Sequence, residues 1–238
     1  MSEDFRKDDQ QVYHALPLER LSWLEHGFGT RHSDGAFAGR NTVTLRQVHS
    51  AVAVHARGGS RCAGTGDGLY TGEPGLMLVV RTADCLPLLL ADERRRAVAA
   101  IHAGWRGAVR GVVAETLRAM AGSFGSQQGD IHAAIGPGIG HCCFETGPEV
   151  AALFQPFFPE RMDLGARARI DLEECVTRQL FAAGVGRQRI YRASLCTSCR
   201  IEDFHSWRRD RDPRSRMYSV ICIRPQENAR GAGGSLRL

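Results

Sequence analysis

Apolar residues in this chain fall into short, dense runs separated by polar turns. Aliphatic and β-branched composition predicts strands at 51–55 (AVAVH), 76–81 (LMLVVR), 86–91 (LPLLLA), 97–102 (AVAAIH), 131–135 (IHAAI), 190–195 (IYRASL) and 217–223 (MYSVICI). Several of these runs are apolar on both faces. Such strands need cover on both faces, so helices or a second sheet should flank them. Helical spacing of Val109, Val112, Val113, Leu117 and Met120 predicts a helix over 106–121 with one apolar face. A shorter helix is expected near 147–158, where Pro148 suits a first turn and Val150, Leu153 and Phe154 form a stripe before Pro156. Asp171 followed three residues later by Glu174 reads as a capping box, opening a helix that ends at Gly184.

The runs 86–91 and 97–102, joined by the charged link Asp92–Arg96, form an expected antiparallel hairpin. A five-residue link centred on Arg94 would pair Cys85 with Ala103 and set it diagonally from His102. The overall expectation is one α+β domain of mixed sheets covered by helices, over residues 11–225. Residues 1–10 and the glycine-rich tail 226–238 are polar and expected to be disordered or flexible.

Composition narrows the class. Hydrophobic residues at 43% and charged residues at 24% supply enough apolar material for a sizeable core. The formal charge of +5 is spread over scattered arginines, and no nucleic-acid motif accompanies it, so nucleic-acid binding is not expected. No run approaches the roughly 20 apolar residues of a membrane span. The opening MSEDFRKDDQ is too charged for a signal peptide, so a cytoplasmic location is expected. Eight cysteines are then expected as thiols, available to metal or catalysis.

Cys85 and His102 at the open end of the hairpin could share one ion, and a catalytic zinc site needs a third nitrogen or sulfur donor. His49, in TLRQVHSA just before a strand, is the best candidate. Mixed His and Cys donors favour zinc, while their softness also admits copper. After His102 the stretch HAGWRG runs through Gly104 into a helix start, whose backbone N–H groups suit an anion. Arg46 and Arg106 are candidates to bind it, each with a solvated surface role as the alternative. Asp67 in GDGLYT and Asp84 in TADC are candidate acids or bases, Asp67 serving otherwise as a turn former. Cys143 in GPGIGHCCFETG is a candidate catalytic residue lining the pocket, with a structural turn as the alternative. In CTSC, Cys196 and Cys199 lack a second such pair and read as ordinary thiols near a strand end, with weak metal binding beside His205 as the alternative. Arg208 and Arg209 of HSWRRD read as solvated, with the pocket as the alternative.

The blocks TLRQVHS, GDGLYT, TADCLPLLLAD, IHAGWRG, AIGPGIGHCCFETG and FHSWRRD, in this order, resemble the signature blocks of the laccase-domain family, also called multicopper polyphenol oxidoreductases. The resemblance spans residues 28 to 223. It implies a zinc-dependent purine nucleoside phosphorylase that takes adenosine, inosine, guanosine or methylthioadenosine with inorganic phosphate and carries an adenosine deaminase activity. It also implies that His49, Cys85 and His102 are the metal ligands. The older oxidase name implies copper. The segment TRHSDGAFAGRNTVTLRQVH is short for the family, so the chain resembles a compact variant. Three other readings stand beside this one: a copper-dependent polyphenol oxidase, a cysteine hydrolase in which His102 activates Cys85, and a metal-stabilised nucleoside-binding module without turnover. A monomer or homodimer is expected.

Overall fold

The computed structural model describes residues 2–33 and 35–225, so the tail expected to be flexible at 226–238 lies outside the described residues. In chain order the strands are β1 (Phe5–Lys7), β2 (Val12–Ala15), β3 (Leu24–Gly29), β4 (Thr42–Arg46), β5 (Ala53–His55), β6 (Cys62–Thr65), β7 (Gly68–Thr71) and β8 (Met77–Thr82). They continue with β9 (Leu86–Asp92), β10 (Ala97–Ala103), β11 (Ile131–Ile135), β12 (Glu145–Thr146), β13 (Ala168–Arg169), β14 (Ile190–Arg192) and β15 (Met217–Ile223). The helices are α1 (Leu16–Glu19), α2 (Trp105–Val109), α3 (Val112–Phe124), α4 (Pro148–Ala151), α5 (Leu172–Ala182) and α6 (Trp207–Asp210).

Two mixed sheets carry the fold, one ordered β1-β2-β3-β15-β8-β4-β6 and the other β14-β11-β9-β10-β7-β5. The strand β9 explains how they stack. Leu86, Leu88 and Leu90 point into a core shared with Val113, Leu117 and Met120 of α3 and Leu172, Val176 and Leu180 of α5. Leu89 and Ala91 point the other way, into a core shared with Leu78 and Val80 of β8 and Ile221 of β15. The result is three layers: helices, the β9–β10 sheet, and the β8–β15 sheet. A strand in the middle layer has no solvent face, which is why 86–91 carries no polar alternation.

Residues 2–10, expected to be disordered, instead begin with β1, paired antiparallel to β2. Phe5 is buried and packs its ring 5.9 Å from that of Phe28, an anchor that the charged neighbours conceal in sequence. The helix expected over 106–121 is split, because Gly111 adopts a left-handed φ of 85° between α2 and α3. The segment near 147–158 keeps Pro148 in its first turn but is only α4 followed by a 3-10 turn. The strand expected at 190–195 stops at Arg192, two residues before Ser194 takes a φ of 52°.

The hairpin also differs from its expected register. Ala97 pairs with Asp92 and His102 with Pro87, so the link is the four residues 93–96. Arg96 in the left-handed region (φ 49°) and the Asp92 carboxylate, which accepts from the N–H groups of Arg94 and Arg95, close this tighter turn. Cys85 therefore lies opposite Gly104, not Ala103. A slip of one residue exchanges the faces of a strand. In the observed register Cys85 and His102 are diagonal neighbours on the same face; in the expected one they would have pointed apart.

Candidate metal centre and its cavity

Three chain segments meet at the open end of the β9–β10 hairpin. His102 is the penultimate residue of β10, Cys85 immediately precedes β9, and His49 follows β4. Both His49 (φ 58°) and Asp84 (φ 80°) occupy the left-handed region that non-glycine residues seldom adopt. Each sharp turn aims a side chain at the shared point, and each is held by hydrogen bonds.

Asp67 organises the first turn. Its buried carboxylate accepts from the backbone N–H of His49 at 3.0 Å and of Ser50 at 2.6 Å, and from the Ser50 hydroxyl at 2.8 Å. His102 Nδ1 lies 2.8 Å from Asp67 Oδ1. Burial works to raise the Asp67 pKa, but the bonds from His102 and Ser50 outweigh it and hold this group well below the usual carboxylate range. An ionised carboxylate only accepts, so Nδ1–H is the donor and Nε2 is left facing inward.

Around that nitrogen the donor atoms of His49, Cys85 and His102 all lie within 4.8 Å of one another. The Cys85 thiol is 3.8 Å from His49 Nε2, and the two imidazole rings meet edge to face at 4.7 Å. Burial pushes the Cys85 thiol up, yet the charge and hydrogen bonds of His102, joined by His49, more than reverse it, to about 6. Burial likewise opposes charge on His102, but Cys85 and Asp67 raise it to about 9. Proton sharing of this kind marks a thiolate between imidazoles, the donor set of a soft or borderline cation. Gly104 completes the enclosure: a Cβ built there would stand 2.7 Å from Cys85 Sγ and 2.8 Å from His49 Cδ2. Only a bare backbone fits against these donors.

The trio opens onto a cavity of about 890 Å³ whose wall includes Arg81, Arg106, Arg208, Trp105, Trp207 and Tyr218. Arg106 stacks its guanidinium 4.3 Å from the Trp105 ring. Asp84 also reaches the wall, but both of its oxygens are engaged, one by the Thr197 hydroxyl at 2.7 Å and the other by the Arg208 backbone N–H at 2.6 Å. Its geometry is that of a brace between loops.

The expected site residues thus separate. His49, Cys85, His102, Asp84 and Arg106 line the cavity, and Gly104 backs the donors. Asp67 is fully buried behind His102, which suits orientation of the ring and not proton exchange with a substrate. Arg46 is exposed at the end of β4 and is not among the lining residues. The Cys143 thiol faces Cys199 at 3.4 Å, away from the cavity wall, because residues 140–143 turn toward the CTSC loop. Of the two arginines in HSWRRD, Arg208 joins the wall, while Arg209 donates to the carbonyls of Thr197, Ser198 and Phe204. Sequence reasoning missed Trp105, Trp207 and the wall residues Arg81 and Tyr218. The tryptophans stood inside the HAGWRG and HSWRRD blocks, and two such rings beside glycine and arginine were the available signal.

A metal-capable trio at strand ends, beneath an arginine-rich cavity in a three-layer α+β domain, defines a laccase-like domain with a candidate metal centre. The chain belongs to the multi-copper polyphenol oxidoreductase laccase family, whose model matches residues 31–224. Among its relatives, a purine nucleoside phosphorylase of Bacteroides thetaiotaomicron is 40% identical over 163 residues, 66% of this chain and 60% of that protein. A purine nucleoside phosphorylase of Deinococcus radiodurans is 35% identical over 195 residues, 82% of this chain and 75% of the relative. The crystal structure of the hypothetical protein YfiH of Bacillus licheniformis superposes with a TM-score of 0.84 at 26% identity, covering 94% of this chain and all of that one.

Proposed function

We propose that this chain is a zinc-dependent purine nucleoside phosphorylase. It takes adenosine, inosine, guanosine or methylthioadenosine with inorganic phosphate and gives the free base and the corresponding ribose 1-phosphate; adenosine deamination is a second reaction of the same site. The observation that carries this reading is the metal-capable trio of His49, Cys85 and His102 at the base of a cavity walled by arginines and tryptophans. Relatives carrying the phosphorylase name support it.

The donor set fits zinc: two imidazoles and one thiolate leave a fourth position open, as catalytic zinc requires, and copper is the softer alternative. Held by these residues, the ion would supply a Lewis acid at the cavity floor. The remaining work falls to the protein. Arg106, Arg81 and Arg208 offer guanidiniums to phosphate, which matches their forked donors in pairs. Trp105 and Trp207 offer flat faces to a purine. In phosphorolysis an oxygen of hydrogen phosphate bonds to ribose C1′ as the bond from C1′ to the base nitrogen breaks, and the departing base gains the proton that the phosphate gives up, directly or through solvent. Asp67 keeps His102 in one tautomer and Asp84 fixes the backbone of Arg208, so neither needs to exchange protons with substrate.

The test is incubation of the metal-quantified protein with adenosine, with and without phosphate, followed by chromatography. Adenine and ribose 1-phosphate are expected only with phosphate, and are expected to vanish in His49→Ala and Cys85→Ala. Inosine in either buffer would reveal the deaminase reaction. Absence of both products across adenosine, inosine and methylthioadenosine overturns the reading. Rapid alkylation of Cys85 in the metal-loaded protein would favour a cysteine nucleophile.

A further inference from the structure

Outside the cavity, the fold brings together four cysteines that are remote in sequence. Cys142 and Cys143 lie in the loop between β11 and β12, and Cys196 and Cys199 in the loop between β14 and α6. A parallel bridge between Gly138 and Cys196 joins the loops, with Gly138 N–H donating to Leu195 O at 3.2 Å and Thr197 N–H to Gly138 O at 2.9 Å. All four sulfurs lie within 4.8 Å of one another. Cys199 Sγ is 3.5 Å from Cys142 Sγ and 3.4 Å from Cys143 Sγ.

These spacings discriminate among possible roles. A disulfide would require about 2.05 Å between two sulfurs, with its partners set apart from the rest. Four thiolates around one zinc at about 2.3 Å each would stand roughly 3.8 Å apart, the edge of the tetrahedron. The two contacts of Cys199, at 3.5 and 3.4 Å, fall a little short of that edge and far beyond a disulfide, and all four sulfurs stay within 4.8 Å. The backbone around them is arranged as thiolate ligands require. Gly140 N–H donates to Cys196 Sγ at 3.2 Å, and a Cβ on Gly140 would stand 3.1 Å from Cys196 Cβ and 3.3 Å from Cys142 Sγ. Hydrogen bonds to ligand sulfur are a regular outer-shell feature of such sites. Two guanidiniums hold the same loops: Arg208 donates to the carbonyls of Cys143 and Glu145, and Arg209 to those of Thr197 and Ser198. The guanidinium of Arg208 adds positive charge beside the loops, whereas that of Arg209 is also paired with Asp210 at 2.6 Å.

We propose that Cys142, Cys143, Cys196 and Cys199 form a second metal site, a closed four-thiolate centre for zinc that is structural and separate from the His49, Cys85 and His102 trio. Its four protein ligands leave no position for substrate. Binding displaces the thiol protons to solvent and ties the two loops to one ion. Those loops carry Ile139 and Phe144 of the cavity wall and the Thr197 hydroxyl that braces Asp84. The site would therefore fix one side of the cavity without touching its contents.

Native mass spectrometry of the unmutated chain, purified with zinc and without chelator, reads the stoichiometry directly. Two zinc ions per chain are expected. His102→Asn should retain one of them, and Cys142→Ser or Cys199→Ser should retain the other. Cobalt(II) loaded into His102→Asn should show the strong sulfur-to-metal charge transfer and the red d–d bands of a tetrahedral four-thiolate site. A single zinc lost with His102→Asn, together with four freely alkylated thiols at these positions, overturns the proposal. So does a disulfide among the four in the freshly purified chain. None of these readouts uses catalysis, so failure of the phosphorylase reading leaves this result intact, and the reverse also holds.

Discussion

At the scale of single residues, the candidate site depends on what stands behind its donors. Gly104 leaves no room for a Cβ between Cys85 and His49. Gly104→Ala is therefore expected to displace at least one donor and lower metal occupancy at the trio at least tenfold, read by metal analysis after dialysis. Full occupancy with unchanged turnover would show that the contact is readily relieved. A second residue, remote from the cavity, makes a pH prediction. His26 is buried and accepts from Ala15 N–H through Nε2 at 2.9 Å, so its neutral form is the one the fold uses. Burial first, then the charges of His14, Arg224 and Arg6, depresses its pKa from 6.5 to about 3. Between those two values the unfolded chain binds a proton that the folded chain refuses, so stability is full above 6.5 and falls with decreasing pH. The slope approaches about 1.4 kcal/mol per pH unit. Denaturant midpoints taken from pH 7 to pH 4 should fall more steeply for the native chain than for His26→Gln; parallel curves would refute the assignment. His49, Cys85 and His102 were legible from residue type and spacing, with the family blocks, because soft donors flanking a buried hairpin are uncommon. The role of Asp67 was not legible, since Gly-Asp-Gly reads equally well as a turn, and only the fold reveals five donors within reach of one carboxylate.

At the scale of elements, the apolar runs located the central strands well because burial on both faces removes all polar residues from them. What they could not reveal was register. The link 93–96 closes through a left-handed Arg96, a conformation that sequence does not advertise in a non-glycine residue, and the one-residue difference decides whether Cys85 and His102 share a face. The edge strands β1 and β6 were missed for the opposite reason: short and partly exposed, they lack an apolar run. The double burial of β9 makes its own prediction. Leu89 is fully buried between the two sheets, so Leu89→Ala should destabilise the chain by about 2–5 kcal/mol in denaturant unfolding. The cap of α5 provides a smaller and independent check. The Asp171 side chain accepts from Glu174 N–H at 2.8 Å, and Asp171→Ala should cost about 1 kcal/mol while leaving metal content unchanged. A loss above 3 kcal/mol there would mean that Asp171 does more than cap the helix.

At the scale of the whole molecule, the two cores lie on opposite faces of one sheet, so neither can lose its packing without exposing β9 and β10. One cooperative unfolding transition is the expected consequence. This bears on whether the trio is a catalytic or a supporting centre, which the fold addresses through His102. Asparagine at 102 keeps an amide N–H near the position of Nδ1, able to donate to Asp67, but has no nitrogen in place of Nε2. If the trio serves catalysis on a self-sufficient scaffold, His102→Asn should unfold in one transition with a midpoint only a few degrees lower, about 2–4 °C for each kcal/mol lost. Its nucleoside phosphorolysis should meanwhile drop by two or more orders of magnitude. Calorimetry and the adenosine assay on the same sample decide the matter. A folded and inactive variant separates catalysis from stability, whereas loss of the cooperative transition would make the metal a scaffold element and favour a nucleoside-binding module that does not turn its ligand over.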